Sequence, residues 1–225
     1  MSRKKRGLRL GLMPKILGTA VAGLLVAATV IAWFTLSFID RDIEQNASQQ
    51  LDLAINLEKA LIDGRLAVLK DNARSTATTD SLRAALATGD SLQVLMALRN
   101  LQQGMTGVHI LTVVGTDGRV LGRASNTHTG EPMQIGGLID MVLAGGTPVA
   151  YPTVIPESEW GPEGDSVRLR VVMPVKPTAD AEERKETEVR DALALVGAAP
   201  IRDDVGHVLG VVVAAEILNQ NHSIV

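Results

Sequence analysis

"LVGAAPIRDDVGHVLGVVVAAEILN", Leu195–Asn219, is two runs of small and β-branched residues separated by a polar turn containing Asp203, Asp204 and Gly206. Apolar runs bounded by turn chemistry read as a β-hairpin, and this one supplies the last two strands of the chain. Upstream, "GVHILTVVGTDGRVLGRA" repeats the pattern: strand, Asp117-Gly118 turn, strand. Val108 to Val114 are apolar on both faces, as a central strand should be.

Between the hairpins lie a short amphipathic segment, "GLIDMVLAGG", closed by Gly145 and Gly146, and "TPVAYPTVIP", which reads as extended. "SVRLRVVMPV" alternates Val167, Leu169, Val171 and Met173 against Arg168, Arg170 and Val172, the pattern of a strand with one apolar face. "KPTADAEERKETEVRDA" is a charged loop.

N-terminal to the strands the period is helical. From Asp40 to about Ala73 there is no proline, and Leu51, Ile55, Ile62, Leu66 and Leu69 form one stripe, suited to a dimer seam, to packing on the chain's own domain, or to both at different heights. Gly64 is its one weak point. Thr79 or Asp80, and then Asp90, stand where they would cap two short helices, the second carrying Leu92, Leu95, Met96 and Leu98. Helices first, then about five mostly antiparallel strands with a small helix between them, make an α+β domain.

The first residues add a membrane expectation. Ile16–Ile39 is an uncharged stretch of about 24 residues, enough to span a hydrocarbon layer of about 30 Å. Arg3, Lys4, Lys5, Arg6, Arg9 and Lys15 precede it without an acidic residue, and Trp33 and Phe34 lie near its far end, so the N-terminus is expected in the cytoplasm. The apolar run exceeds the 7–15 residues usual for a signal peptide, which favours a retained anchor. The expected organisation is a basic tail over 1–15, a transmembrane helix over 16–39, a helical sensor part over 40–104 and a sheet over 105–225. Six of the 22 basic residues precede the span and all 25 acidic residues follow it, leaving a net charge of about −9 beyond Ile39. That excludes a basic nucleic-acid footprint. With no cysteine, disulfides, thiolate zinc sites and a cysteine nucleophile are excluded. His109, His128, His207 and His222 lack the spacing of a metal site, no nucleophile elbow, zincin motif or phosphate loop occurs, and neither catalysis nor a cofactor is expected.

The long helix, the "DG" hairpin ending in "VLGRASNTHTGE" and the terminal "AAPIRDDVGHVLGVVVAAEILN" together resemble the extracytoplasmic Cache sensor domains, of single-Cache, PAS-like type, of bacterial chemoreceptors, sensor histidine kinases and cyclic-di-GMP enzymes. The resemblance covers about Asp40 to Val225. It implies a five-stranded antiparallel sheet with the long helix behind it, a small-ligand pocket on the other face, and a second membrane span after "ILNQNHSIV". It also implies a sensor domain in the periplasm or outside the cell, attached to the bacterial inner membrane; homodimerisation through the N-terminal helices is expected, because two spans moving relative to each other need a reference partner. Where many relatives carry His after "RA", this chain has Ser125, with His128 three residues on.

Arg123 matches the family's arginine before the pocket loop and suits a ligand carboxylate held bidentately. Ser125, Asn126 and His128 in the following loop are candidates for further hydrogen bonds, as is Thr127. Tyr151, the single tyrosine, lies in a segment the family uses as pocket wall. Of Arg168 and Arg170, Arg170 is the candidate for the pocket. Glu216, in an apolar strand, requires a partner, expected to be an arginine across the sheet. These walls favour a small carboxylate or amino acid. A single-span anchored protein whose external domain binds another protein is the rival, and it predicts an exposed apolar patch.

Overall fold

The computed structural model describes residues 12–176 and 187–220, with the side chains of 12–22, 26–27, 32 and 35–48 outside the description. Residues 1–11 of the basic tail, residues 177–186 of the charged loop and His222 lie outside the described residues. The chain divides into two compact units, 1–57 and 58–225.

The first unit is described as helix, the beginning of α1 (Leu12–Ala77). Leu51, Leu53, Ile55 and Leu57 are exposed on it. Among the described residues no helix is long and apolar enough to cross a membrane, and many side chains of the 16–39 stretch lie outside them.

In the second unit α1 is followed by α2 (Asp80–Thr88) and α3 (Ser91–Gln103). The Asp90 side chain caps α3 by accepting from Leu92 N at 2.9 Å. Thr79 stands at the N-cap of α2, but its hydroxyl donates back to the Ser75 carbonyl instead of capping. The strands are β1 (Ile110–Gly115), β2 (Val120–Arg123), β3 (Val149–Ile155), a minor pair β4 (Met173–Pro174) and β5 (Glu188–Val189), then β6 (Ala192–Arg202) and β7 (Val208–Ile217). The sheet runs β2-β1-β7-β6-β3, antiparallel throughout. The terminal hairpin thus forms its centre, which is why both strands are apolar on both faces.

Strand alternation sorts the core. Leu111, Val113, Leu195, Val212 and Ala214 point to the side covered by α1, α2 and α3. The helix approaches closely because β6 offers Gly197, where a Cβ would stand 2.5 Å from the Leu69 carbonyl carbon. The α1 stripe divides accordingly: Leu69 is buried and Ile62 and Leu66 pack on the core, whereas Leu51 and Ile55 are exposed. Ile110, Val114, Val196, Val211 and Val213 point to the opposite side. There they meet α4 (Leu138–Gly145) and a cap of short helices, α5 (Glu157–Trp160), a 3-10 turn (Gly161–Glu163) and α6 (Asp165–Val171).

The strand expected at "SVRLRVVMPV" is helix α6 followed by the two-residue β4. Val167 and Val171 are both buried, while Leu169 is 78% exposed. A spacing of four satisfies a strand's period of two and a helical turn alike, and Leu169, which would share their face in a strand, faces outward in the helix. Gly164, at φ 94°, and Asp165 in the first turn start the helix, and Arg168 and Arg170 sit in its last turn, where cations suit the helix dipole. The five-stranded count is kept because the extended segment around Tyr151 is β3.

Candidate functional site

On the sheet face away from α1, the cap fills the space in which the sequence places a pocket. Trp160, Met133, Ile135, Leu138 and Val171 are fully buried against the strands, and the Trp160 indole N–H donates to the Arg190 carbonyl at 3.0 Å. Polar groups enter this apolar layer at one edge. Arg123, at the end of β2 and paired across the sheet with Thr112, is 0% exposed. Its guanidinium donates to Glu163 Oε1 at 2.5 Å, to Glu131 and, through Nε, to the His128 carbonyl at 3.3 Å.

Glu163 is the hub. Ser125 Oγ donates to its Oε2 at 2.7 Å and Thr112 Oγ1 to its Oε1 at 2.9 Å. Asn126 Nδ2 spans Ser125 Oγ and the Pro162 carbonyl, at 3.2 and 2.7 Å. Burial holds the Glu163 carboxyl above its ordinary range, opposed by the Arg123 charge and the two hydroxyls. The chain's own carboxylate therefore occupies the arginine that the sequence assigns to a ligand. A buried cation with matched donors and acceptors is costly to open unless another carboxylate replaces the one withdrawn.

The six sequence candidates fall in three places. Arg123, Ser125 and Asn126 meet around Glu163, and His128 contributes only backbone, its N–H donating to Asn126 Oδ1 at 2.8 Å and its side chain exposed. Tyr151 stands on β3, at the opposite edge of the sheet from β2, four strand spacings or about 19 Å away. Its hydroxyl donates to the Ile135 carbonyl at 3.2 Å, and burial raises its pKa. The structure does not bring Tyr151 to the Arg123 cluster.

Arg170 lies elsewhere again. It lines a cleft of about 770 Å³ bounded by α1, the Thr106–His109 segment, α6 and the end of β7. His109 is held there by Ile217 N–H donating to its Nδ1 at 2.9 Å, and burial together with the Arg170 charge lowers its pKa to about 4. Glu216 finds its arginine on α1 rather than across the sheet: Arg65 NH1 donates to Oε1 at 2.5 Å.

The sequence also matches, over residues 44–224, the family described as the double sensory domain of two-component sensor kinases. The chain belongs to this Cache sensory family. Its described residues build one five-stranded sheet. No curated protein matches. The Cache chain resembles the sensor domain of the Vibrio cholerae histidine kinase DctB, with 12% identity and a TM-score of 0.55, covering 80% of this chain and 58% of that one, a likeness of fold alone. The periplasmic domain of Vibrio cholerae LuxQ matches with 17% identity and a TM-score of 0.45, covering 76% and 66%. The chain spans less than two thirds of either structure. Among the described residues of this Cache domain no group of acidic and histidine side chains could hold a metal ion.

Glu163 and Glu131 are not among the residues that the sequence singles out for the site. Glu131 stands inside the quoted "SNTHTGE" stretch, and a buried arginine needs an acidic partner, which was the available signal. Glu163 comes from "GPEG", 40 residues beyond Arg123, and nothing local ties the two.

Proposed function

We propose that this Cache domain is the extracytoplasmic small-ligand-sensing part of a membrane-spanning receptor of sensor-kinase or chemotaxis-transducer type. It is anchored through Ile16–Ile39, works as a homodimer along the exposed Leu51–Leu57 part of α1, and catalyses nothing itself. The observation carrying this reading is that buried Arg123 is held by Glu163, a carboxylate borne on the short-helix cap. A ligand carboxylate binding Arg123 takes the place of Glu163 without changing the charge of the cluster.

The cap is tied to the end of the domain. Asn219 Nδ2 donates to the Val171 carbonyl at 3.1 Å, and Gln220 Nε2 to the Val172 carbonyl at 2.7 Å, so the C-terminal end of α6 and the chain leaving β7 are joined. Release of Glu163 and displacement of the cap then bias the position of the segment leading toward the membrane. The ligand acts by binding the opened arrangement better than the closed one, since equal affinity for both would shift nothing.

Thermal shift of the full chain against small carboxylates and amino acids tests this. A ligand at 100 times its dissociation constant adds about 2.7 kcal/mol. Glu163→Gln weakens the internal competitor, and a carboxylate that binds the wild type is expected to bind this variant about tenfold more tightly, the worth of roughly one charge-assisted hydrogen bond. Affinity unchanged or reduced in Glu163→Gln would contradict the displacement of Glu163.

A further inference from the structure

We propose that the cleft between α1 and α6 is a second binding site, one for a small organic monocarboxylate with an apolar tail. It shares no residue with the Arg123 cluster and goes beyond the sensing role argued for that cluster.

Among the described residues, the charged side chains lining the cleft are Arg65, Arg170 and Glu216, which leaves one cation in excess. Arg65 and Glu216 neutralise each other. His109 accepts from the Ile217 N–H at Nδ1, so its neutral ring carries its proton on Nε2, and with a pKa near 4 it is a neutral donor at physiological pH. Arg170 makes no hydrogen bond or ion pair among the described residues, yet its charge acts on His109 across the cleft. One unpaired guanidinium with a neutral donor nearby suits one carboxylate, and the Glu216 carboxylate disfavours a second.

The walls specify the rest of the ligand. Leu61, Val68 and Leu169 line the cleft with exposures of 52%, 55% and 78%, apolar surface that a hydrocarbon tail would cover. Gly64 faces it from α1, and a Cβ built there meets nothing within 4 Å, so the missing side chain leaves the groove open. Gly107 is fixed as glycine by its φ of +80° and keeps the opposite wall low beside Glu216. The volume lies within the range of small-molecule sites.

Calorimetry on the full chain in lipid nanodiscs, with three probes, tests the proposal: 4-methylpentanoate, its neutral amide, and acetate. The acid is expected to bind more tightly than either. Arg170→Ala is expected to weaken the acid about tenfold while leaving the amide unchanged, which separates loss of the cation from loss of the fold. Gly64→Leu fills the groove from a helix that gains propensity, and is expected to abolish binding of acid and amide together. No binding of the acid to the wild type, or binding that both variants leave intact, would overturn the proposal. The second of these results would point instead to the Arg123 cluster.

Discussion

Replacing Arg123 by methionine removes a guanidinium that is 0% exposed and leaves Glu163, 2% exposed, with only the Ser125 and Thr112 hydroxyls. Breaking a buried ion pair from one side costs about 3–5 kcal/mol because the remaining charge is stranded. For a folded unit of this size each kcal/mol moves Tm by about 2–4 °C, so Arg123→Met should lower Tm by about 6–20 °C at neutral pH. The loss depends on pH with a definite sign. Burial already raises the Glu163 pKa, so the folded state takes up this proton more readily than the unfolded chain. The associated stability is full below the ordinary carboxylate value and is lost as pH rises through the folded one. Removing Arg123 takes away the charge that opposes this rise, so the deficit of Arg123→Met should shrink between pH 8 and pH 5. In Arg123→Met/Glu163→Leu, with both charges gone, much of the stability should return. Urea unfolding of the wild type, Arg123→Met, Glu163→Leu and the double variant at both pH values measures the coupling. A deficit below about 1 kcal/mol, or one that grows on acidification, would refute the account of a buried, mutually dependent pair.

Two glycines should respond oppositely. Gly197→Ala drives a Cβ into the Leu69 backbone and should cost about 1–3 kcal/mol by denaturant titration, whereas Gly64→Ala, which meets nothing, should stabilise by about 0.5–1 kcal/mol. His109 is depressed to about 4, so the stability from its neutral ring is full above the ordinary histidine value of 6.5 and lost as pH falls toward 4. Because the ring is only half-buried, solvent screening reduces that contribution to about 1–2 kcal/mol, and His109→Gln should flatten this part of a Tm–pH curve. Asn219→Ala removes a side chain that accepts from Leu193 N and donates to the Val171 and Asp191 carbonyls; a loss of about 2–4 kcal/mol is expected in urea unfolding, with faster hydrogen exchange at the end of β7.

Much of the fold was legible because its signals are local and redundant. The terminal hairpin combines β-branched runs with a turn, Asp117-Gly118 turns where Gly118 adopts φ +76°, and Asp90 caps α3. Segment 165–171 failed because Val167 and Val171 fit two periods at once, so only the packing of its neighbours decides. The site was half legible. Arg123, Ser125 and Asn126 are close in sequence and meet, but their common partner Glu163 arrives on a distant cap. Tyr151 stands on β3, at the far edge of the order β2-β1-β7-β6-β3 from Arg123, and Arg170 stands on α6, where it lines a different cleft. The Arg170 cleft is built from four segments, none of which carries a motif.

The central claim is that a carboxylate displaces Glu163 and moves the cap. Because the chain has no cysteine, Ser166→Cys on α6 and Met96→Cys on α3, both exposed, can carry spin labels without background. The distance distribution between them, measured with and without a saturating carboxylate from the thermal-shift panel, tests the claim most directly. The account predicts that the distribution shifts on binding, and that Glu163→Gln alone moves it part of the way. A carboxylate that binds through Arg123 while the distribution stays fixed would contradict it.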